Sequence, residues 1–143
     1  MIDPKFLGKK YGPVKYVVGL EKIKEYAVAT GDTNPLYLDE DAAAKGPNEG
    51  IVAPPMFAVV YTKDVIGKML FDKELALNFM MLVHGEQQFE FFKPARPGDE
   101  VFSQAEIAHI ERKEDKDIIS VKVDSKVKDR LITRAVFTFV IRG

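Results

Sequence analysis

The segment VAPPMFAVVYTKDVIGKML, residues 52–70, constrains the fold of this chain more than any other. Pro54 and Pro55 suit the first turn of a helix, and the residues from Met56 to Tyr61 are apolar on every face of that helix. A helix that is hydrophobic all round is buried on most sides. In a chain of 143 residues, we expect a sheet to curl around it.

The C-terminal part of the chain supplies the strands of such a sheet. Residues 118–128 and 131–141 alternate between apolar and polar side chains, and residues 85–92 and 99–111 predict two further strands. Alternation of this length indicates antiparallel strands with one buried face. A short first strand is predicted over 14–18. The pattern as a whole predicts an α+β protein of the hotdog fold, in which a curled antiparallel sheet wraps around a long central helix. The last four strands of this sheet are expected to form a meander.

Two shorter helices are predicted between the first strand and the central helix. Apolar residues at helical spacing begin at Leu20, and Gly31 stands where a C′ glycine ends such a helix. A second helix is predicted from Glu40 to Lys45, with Asp39 as its N-cap. Asp32 therefore lies on a turn just beyond a helix terminus.

Composition excludes several classes of protein. The net charge is −1, with 21 basic and 22 acidic residues, so no basic field attracts nucleic acid or a membrane. The chain has no cysteine and two distant histidines, His84 and His109, and it lacks nucleotide-binding glycine motifs. We expect one domain over residues 1–143, no metal, no cofactor and, without a secretory signal, a cytoplasmic location.

Three segments together resemble a known family. They are LEKIKEYAVATGDTNPLYLDEDAA at 20–43, GIVAPPMFAVV at 50–60 and LVHGEQQFEFFKPARPGDEV at 82–101. The chain resembles the MaoC-like dehydratases, and more closely their N-terminal, FAS1-like dehydratase type. The resemblance implies an (R)-specific enoyl-thioester hydratase, or a 3-hydroxyacyl dehydratase in the reverse direction, acting on thioesters of coenzyme A or of an acyl carrier protein.

The catalytic motif of the family is D-x-N-P-[IL]-H. Asp32 matches its aspartate, Asn34 and Pro35 match its turn, and Tyr37 stands in the place of its histidine. The resemblance thus implies Asp32 and Tyr37 as catalytic residues and Asn34 as a substrate-binding residue. It also implies that Pro55, Met56 and Phe57, at the start of the central helix, and His84 bind substrate.

Two departures from the family pattern weaken the predicted catalytic site. Tyrosine has a pKa of about 10, so Tyr37 is a poor base at neutral pH. Pro54 and Pro55 lack the N–H groups with which a helix start binds an oxyanion. Some members of the family are double hotdogs in which one half has lost its catalytic residues. We therefore predict a substrate-binding subunit with a hotdog partner that carries the intact motif, or failing that a homodimer.

Several alternatives remain open at this point. The chain is alternatively a non-catalytic acyl-thioester-binding hotdog or an acyl-thioesterase, for which Asp64 is the only acid on the central helix. His84 is predicted to be a hydrogen-bonded structural histidine, and His109 a core or interface histidine. Lys93, Arg96 and Lys63 either contact carrier phosphates or are ordinary surface residues.

Overall fold

The computed structural model describes all residues from Met1 to Gly143. In chain order its elements are β1 (Lys10–Val17), α1 (Leu20–Ala29), α2 (Pro35–Leu38), α3 (Glu40–Ala44), α4 (Ala58–Leu70), β2 (Leu82–Phe91), β3 (Glu100–Lys113), β4 (Lys116–Val127) and β5 (Arg130–Arg142). Short 3-10 turns occur at Pro4–Phe6, Pro55–Phe57 and Phe79–Met81. The strands form one curled antiparallel sheet with α4 as its central helix, so the predicted hotdog fold is confirmed.

The strand order is β1-β3-β4-β5-β2, and this order corrects the predicted meander of four strands. β3, β4 and β5 do follow one another, but β2 pairs with β5, from Leu82 opposite Ile141 to Phe91 opposite Thr133. The alternating pattern of a strand identifies its buried face and does not identify its neighbour. β2 is consequently an edge strand, with one side of its backbone unpaired.

The central helix packs into two buried clusters. In its second half, Val65 and Met69 pack in one cluster with Val121 of β4, which lies in register between Ile107 of β3 and Phe137 of β5. The first turn of α4 belongs to another cluster, shared with α1 and α3. Each such side chain stabilises the fold by about 1.5–3 kcal/mol on full burial. The start of α4 is thereby fixed against the segments that precede it.

The predicted burial of the central helix on most sides is confirmed, and one side remains open. Val59 is 37% exposed, and Lys63 and Asp64 form an exposed ion pair at 3.0 Å on the open side. The acid required by the thioesterase alternative therefore lies at the surface beside a lysine. Neither α4 nor any other helix here has the length and apolarity needed to cross a bilayer.

A row of hydroxyl groups crosses the sheet beneath α4. Ser103, Ser125 and Thr133 lie opposite one another on β3, β4 and β5 and are fully buried. The two serine hydroxyls are 2.7 Å apart, Ser103 Oγ also donates to the carbonyl oxygen of Tyr61, and the Tyr61 hydroxyl bonds to Thr133. Because each of these buried polar groups has a partner, the row joins α4 to three strands without an unpaired hydroxyl.

The prediction that His109 faces the core is wrong, whereas its alternative place at an interface stays a prediction. The pairing of β3 with β4 shifts register between Ile107 and His109. This bulge reverses the alternation, so Ile110 packs against the core and the His109 side chain is 55% exposed. The His109 ring contacts Glu111 at 3.3 Å. A single extra residue in a strand moves every later side chain to the other face.

Candidate active site

Asp32 is held where α1 ends. Thr30 is the C-cap of α1, and Gly31 follows with a φ of 72°, the left-handed conformation predicted for a C′ glycine. The Asp32 N–H donates to the carbonyl oxygen of Ala27 at 2.8 Å. The half-buried Asp32 carboxylate accepts the Asn34 N–H at 3.2 Å. Its position is therefore fixed from both sides by backbone hydrogen bonds.

A single helical turn that the sequence analysis does not predict, α2, carries Tyr37. Asn34 is its N-cap, with Oδ1 accepting the Leu36 N–H at 3.0 Å, and Pro35 occupies the first position. The Asn34 side-chain oxygen is thus engaged with the backbone of α2. The next helix, α3, is capped by Asp39 as predicted.

Tyr37 lies half-buried against the cluster that contains Ala53 and Phe57. Burial raises the pKa of the Tyr37 phenol, and the charge of Asp32 raises it further. Asp32 is therefore close enough to act electrostatically on the phenol. A tyrosine with a raised pKa keeps its proton at neutral pH, so Tyr37 can donate a hydrogen bond there but cannot serve as a base.

The turn before α4 presents one free N–H group. Pro54 and Pro55 have none, and the Phe57 N–H donates to the carbonyl oxygen of Pro54 at 2.9 Å. The Ala58 N–H donates to the carbonyl oxygen of Pro55. The Met56 N–H makes no hydrogen bond within the chain. It is the first donor of this turn that an oxygen of a ligand can use.

Tyr26 connects this turn to the helix that positions Asp32. The Tyr26 hydroxyl donates to the carbonyl oxygen of Met56 at 3.1 Å, and its ring packs edge-on against Phe57 with centroids 5.5 Å apart. Phe57 itself is fully buried. The position of the Met56 N–H relative to Asp32 is thus set by α1, which carries both Tyr26 and the Asp32 turn.

His84 is exposed at the start of β2 and makes no side-chain hydrogen bond, so the expectation of a hydrogen-bonded histidine is wrong. Its ring stacks on Phe137 and lies tilted against Phe139, with centroids 5.7 and 5.1 Å away. A register shift between His84 and Glu86 leaves it on the apolar side of the sheet, where it meets rings rather than polar partners. No cluster of three or more potential metal ligands occurs in the structure.

An apolar cavity of about 200 Å³ adjoins the turn before α4. Pro54 and Pro55 form one wall, and the others come from Ala53, Tyr61, Phe91, Phe92, Lys93, Pro94 and Ala95. Of the candidate site residues named from the sequence, Pro55 and Lys93 line this cavity. Asp32, Asn34 and Tyr37 form a separate group, Met56 and Phe57 continue the turn, and His84 lies elsewhere on β2.

Tyr61 is a site residue that the sequence analysis does not identify. It lines the cavity, and burial raises the pKa of its phenol to about 12, although the hydrogen bond with Thr133 opposes that rise. The sequence feature that could have identified it is a tyrosine on a helix that is apolar on every face. A buried phenol needs a hydrogen-bond partner, so such a tyrosine marks a polar contact inside the core. Its partner, Thr133, could not be identified without the register of β5.

The fold agrees with that of known proteins to which this chain is similar. The family described as FAS1-like, dehydratase domain region, matches residues 5–132, and the chain belongs to it. A UPF0336 protein from Streptomyces griseus is 36% identical over 124 residues, covering 86% of this chain and 83% of that protein.

Solved structures with the same fold include a C-terminally truncated dehydratase complex and a MaoC-like dehydratase. The HadBC (3R-hydroxyacyl-ACP dehydratase) complex from Mycobacterium tuberculosis contains a chain that is 26% identical, with a TM-score of 0.82 and coverage of 94% of this chain and 96% of that one. A protein titled MaoC-like dehydratase is 27% identical, with a TM-score of 0.84. The match covers 96% of this chain but 42% of that one, which is more than twice as long.

Proposed function

We propose that this chain is the substrate-binding subunit of an (R)-specific enoyl-thioester hydratase, which acts as a 3-hydroxyacyl-thioester dehydratase in the reverse direction. Its partner is a second hotdog subunit that supplies the Asp/His pair. The observation that carries the proposal is that a half-buried tyrosine, Tyr37, follows the Asp32 turn at the position where the family motif has a histidine.

Hydration of an enoyl thioester requires two proton transfers. A base takes a proton from water as its oxygen adds to the β-carbon, and an acid protonates the α-carbon. Each positioned acid or base contributes about 10²–10⁴ to the rate. Asp32 with a protonated Tyr37 offers a carboxylate and a hydrogen-bond donor, but not the near-neutral base that a histidine provides. In this chain alone, the reaction is therefore expected to be slow.

The thioester oxygen gains negative charge during the reaction and needs a hydrogen-bond donor. The free Met56 N–H is the donor that this chain offers, positioned through the bond from Tyr26 to the Met56 carbonyl. The apolar cavity beside Pro54 and Pro55 is suited to part of an acyl chain. These features support substrate binding more strongly than they support proton transfer.

The β2 edge supports the existence of a partner. Large apolar side chains on and beside this strand are exposed, namely Phe79, Met80, Met81, Val83, Phe91 and Phe92, with exposed fractions from 41% to 90%. An unpaired edge strand with exposed apolar side chains is a site for pairing with another sheet. The HadBC complex, which this chain resembles, is an assembly of two different subunits.

The proposal is tested by assaying the purified chain with a short trans-2-enoyl-CoA, alone and with a hotdog protein that contains D-x-N-P-[IL]-H and is encoded beside it. We expect little hydration by the chain alone, and robust hydration by the complex. Replacing the partner's histidine should abolish that activity, whereas Asp32→Asn should not. Robust hydration by the chain alone, lost in Asp32→Asn, would contradict the proposal.

A second candidate is an acyl-thioester-binding protein without a dehydratase partner. The cavity and the Tyr37 substitution favour binding without catalysis. This candidate predicts that enoyl-CoA binds to the chain and that no hotdog partner forms a stable complex with it. Size-exclusion chromatography of the co-expressed pair separates the two candidates.

A further inference from the structure

A basic groove lies where the β2–β3 connection meets the β4–β5 hairpin. Four cationic residues line it: Lys93, Arg96, Lys128 and Arg130. The groove has a volume of about 550 Å³, within the range of about 300–1,000 Å³ for small-molecule sites. The net charge of the chain is −1, so this local excess of positive charge is not a property of the whole surface.

None of these four cations has an acidic partner in the chain. Other cations do, including Lys9 with Asp72, Arg112 with Asp117 and Arg134 with Asp124. The carboxylate that lines the groove, Asp99, accepts the backbone N–H of Arg96 at 2.8 Å and no side-chain cation. Like charges gathered without counter-charges destabilise a surface and attract anions. The arrangement therefore indicates an anionic ligand.

The basic groove adjoins the apolar cavity at the turn before α4. Lys93 and Pro94 line both. The groove also has apolar lining from Val127 and Ile132. A ligand that occupies both spaces has an apolar chain at one end and a strong anion at the other. Arginine and lysine together are well suited to phosphate, because the guanidinium binds it in a bidentate manner and the ammonium adds a compact charge.

We propose that the basic groove binds the phosphate end of a phosphopantetheine thioester whose acyl chain enters the cavity, an inference that rests on the proposed function. Coenzyme A and acyl carrier proteins share this group, and coenzyme A adds further phosphates on its nucleotide. In this arrangement the groove holds the phosphate of the thioester arm on this subunit. The four cations provide the positive charge that attracts that phosphate.

The test compares ligands that share one acyl group and differ in phosphate. Binding of trans-2-enoyl-pantetheine, its 4′-phosphopantetheine analogue and the CoA thioester to the full chain is measured by isothermal titration calorimetry. We expect the phosphorylated ligands to bind about tenfold or more tightly than the pantetheine ligand, because hydrogen bonds from charged donors to phosphate are stronger than those between neutral groups. This preference should weaken as salt rises.

Arg96→Gln with Arg130→Gln should remove that preference and leave binding of the pantetheine ligand unchanged, because neither arginine lines the apolar cavity. Lys128 is kept, because its φ of 48° disfavours most substitutions. The matched control is Lys113→Gln with Arg142→Gln, one exposed lysine and one exposed arginine at the opposite end of the sheet. This control should retain the preference.

The ligand series also separates the possible sources of the phosphate. Tighter binding of the CoA thioester than of the phosphopantetheine thioester, lost in the double variant, identifies coenzyme A. Equal binding of the two identifies the arm of a carrier protein. Equal binding of all three ligands to the wild type, or an unchanged preference in the variant, overturns the inference. Binding of none of the thioesters overturns the proposed function as well.

Discussion

At the scale of single residues, position 37 determines what the Asp32 turn can do. Tyr37 and Asp32 are close enough for the carboxylate to raise the phenol pKa, in addition to the effect of burial. Both effects favour the protonated phenol. Tyr37 is therefore a hydrogen-bond donor at neutral pH, in the place where the family motif has a near-neutral acid–base group.

Replacing Tyr37 with histidine tests this reading. We expect Tyr37→His to raise hydration of a trans-2-enoyl-CoA by the chain alone, by up to about 10²-fold, because it restores a near-neutral acid–base group. The gain should appear as pH rises through about 6.5, where an ordinary histidine loses its proton. Loss of the enoyl-thioester absorbance across a pH series measures it.

Two controls accompany this variant. Tyr37→Phe removes the hydroxyl without adding a base and should give no gain, and adding Asp32→Asn to Tyr37→His should remove any gain. If Tyr37→His is folded, as judged by circular dichroism, and remains inactive, the missing base is not the limiting defect. The low activity would then be attributed to Pro54 and Pro55, which leave the Met56 N–H as the first donor for the thioester oxygen.

At the scale of elements, the strands were predictable as strands, but their neighbours were not. Alternation of apolar and polar residues predicts the buried faces of β4 and β5, because successive side chains of a strand point to opposite faces of the sheet. The pairing of β2 with β5 depends on residues about fifty positions apart, which a local pattern does not connect. The bulge before His109 likewise depends on the facing strand.

The candidate site was predictable to a similar extent. The turn at Asp32 is predictable from local sequence. Gly31 ends α1 and Asp39 caps α3, and both effects depend only on residues a few positions away. The single turn α2 was missed because four residues are too few to show a helical period. Lys93 and Arg96 are candidates from the sequence, but it does not show that Lys128 and Arg130 join them, because the groove lies between two separate connections. Tyr61 is not identified from the sequence because its partner, Thr133, comes from β5.

The charge of the β2 edge predicts which partner it prefers. β2 carries Glu86 and Glu90 and no lysine or arginine. Glu90 lies opposite Arg134 of β5, but Arg134 already bonds to both oxygens of Asp124. Two copies pairing through β2 would bring four carboxylates together, and like charges across paired strands are destabilising. We expect the natural partner strand to be basic.

Sedimentation velocity checks this preference. The wild type should self-associate weakly at low salt and more strongly as salt screens the carboxylates. A Glu86→Lys/Glu90→Lys variant, mixed with the wild type, should form a mixed dimer at low salt. A control with Glu21→Lys and Asp115→Lys, both exposed and away from β2, should not. Tight, salt-independent self-association of the wild type would contradict a preference for a basic partner.

At the scale of the whole molecule, Asp72 connects β1 to the segment after α4. Its carboxylate bonds to Lys9 Nζ at 2.6 Å, to the Tyr11 hydroxyl at 2.7 Å and to the Glu74 N–H at 2.9 Å. The hydrogen bond from Lys9 is the largest cause of an Asp72 pKa lowered from 3.8 to about 2. The ionised carboxylate is thus favoured in the folded state.

The sign of this shift predicts how stability depends on pH. A lowered pKa contributes stability above the unfolded value, near pH 4, and that contribution is lost as pH falls toward 2. Asp72→Asn should destabilise the fold at pH 7 by about 1.5–3 kcal/mol, the usual range for hydrogen bonds to a charged group. The difference from wild type should shrink between pH 4 and pH 2.

Urea unfolding at pH 7, 4 and 2.5 measures this effect. The control, Asp115→Asn, lies in the exposed β3–β4 hairpin and forms no side-chain hydrogen bond or ion pair, so it should follow the wild type at every pH. A constant difference between Asp72→Asn and wild type across this range would show that the charge of Asp72 does not stabilise the fold.

The bare β2 edge also has a consequence for how a cell produces this protein. A newly made copy displays Val83, Phe91 and an unpaired strand, which under the proposed function stay exposed until the partner subunit binds. An exposed edge strand of this kind can pair with strands of other partly folded chains and cause aggregation. Cellular proteases degrade copies that remain without a partner. The yield of folded protein in the cell should then depend on the abundance of its partner. We expect this chain to aggregate when it is overproduced alone and to stay folded when it is co-expressed with the partner.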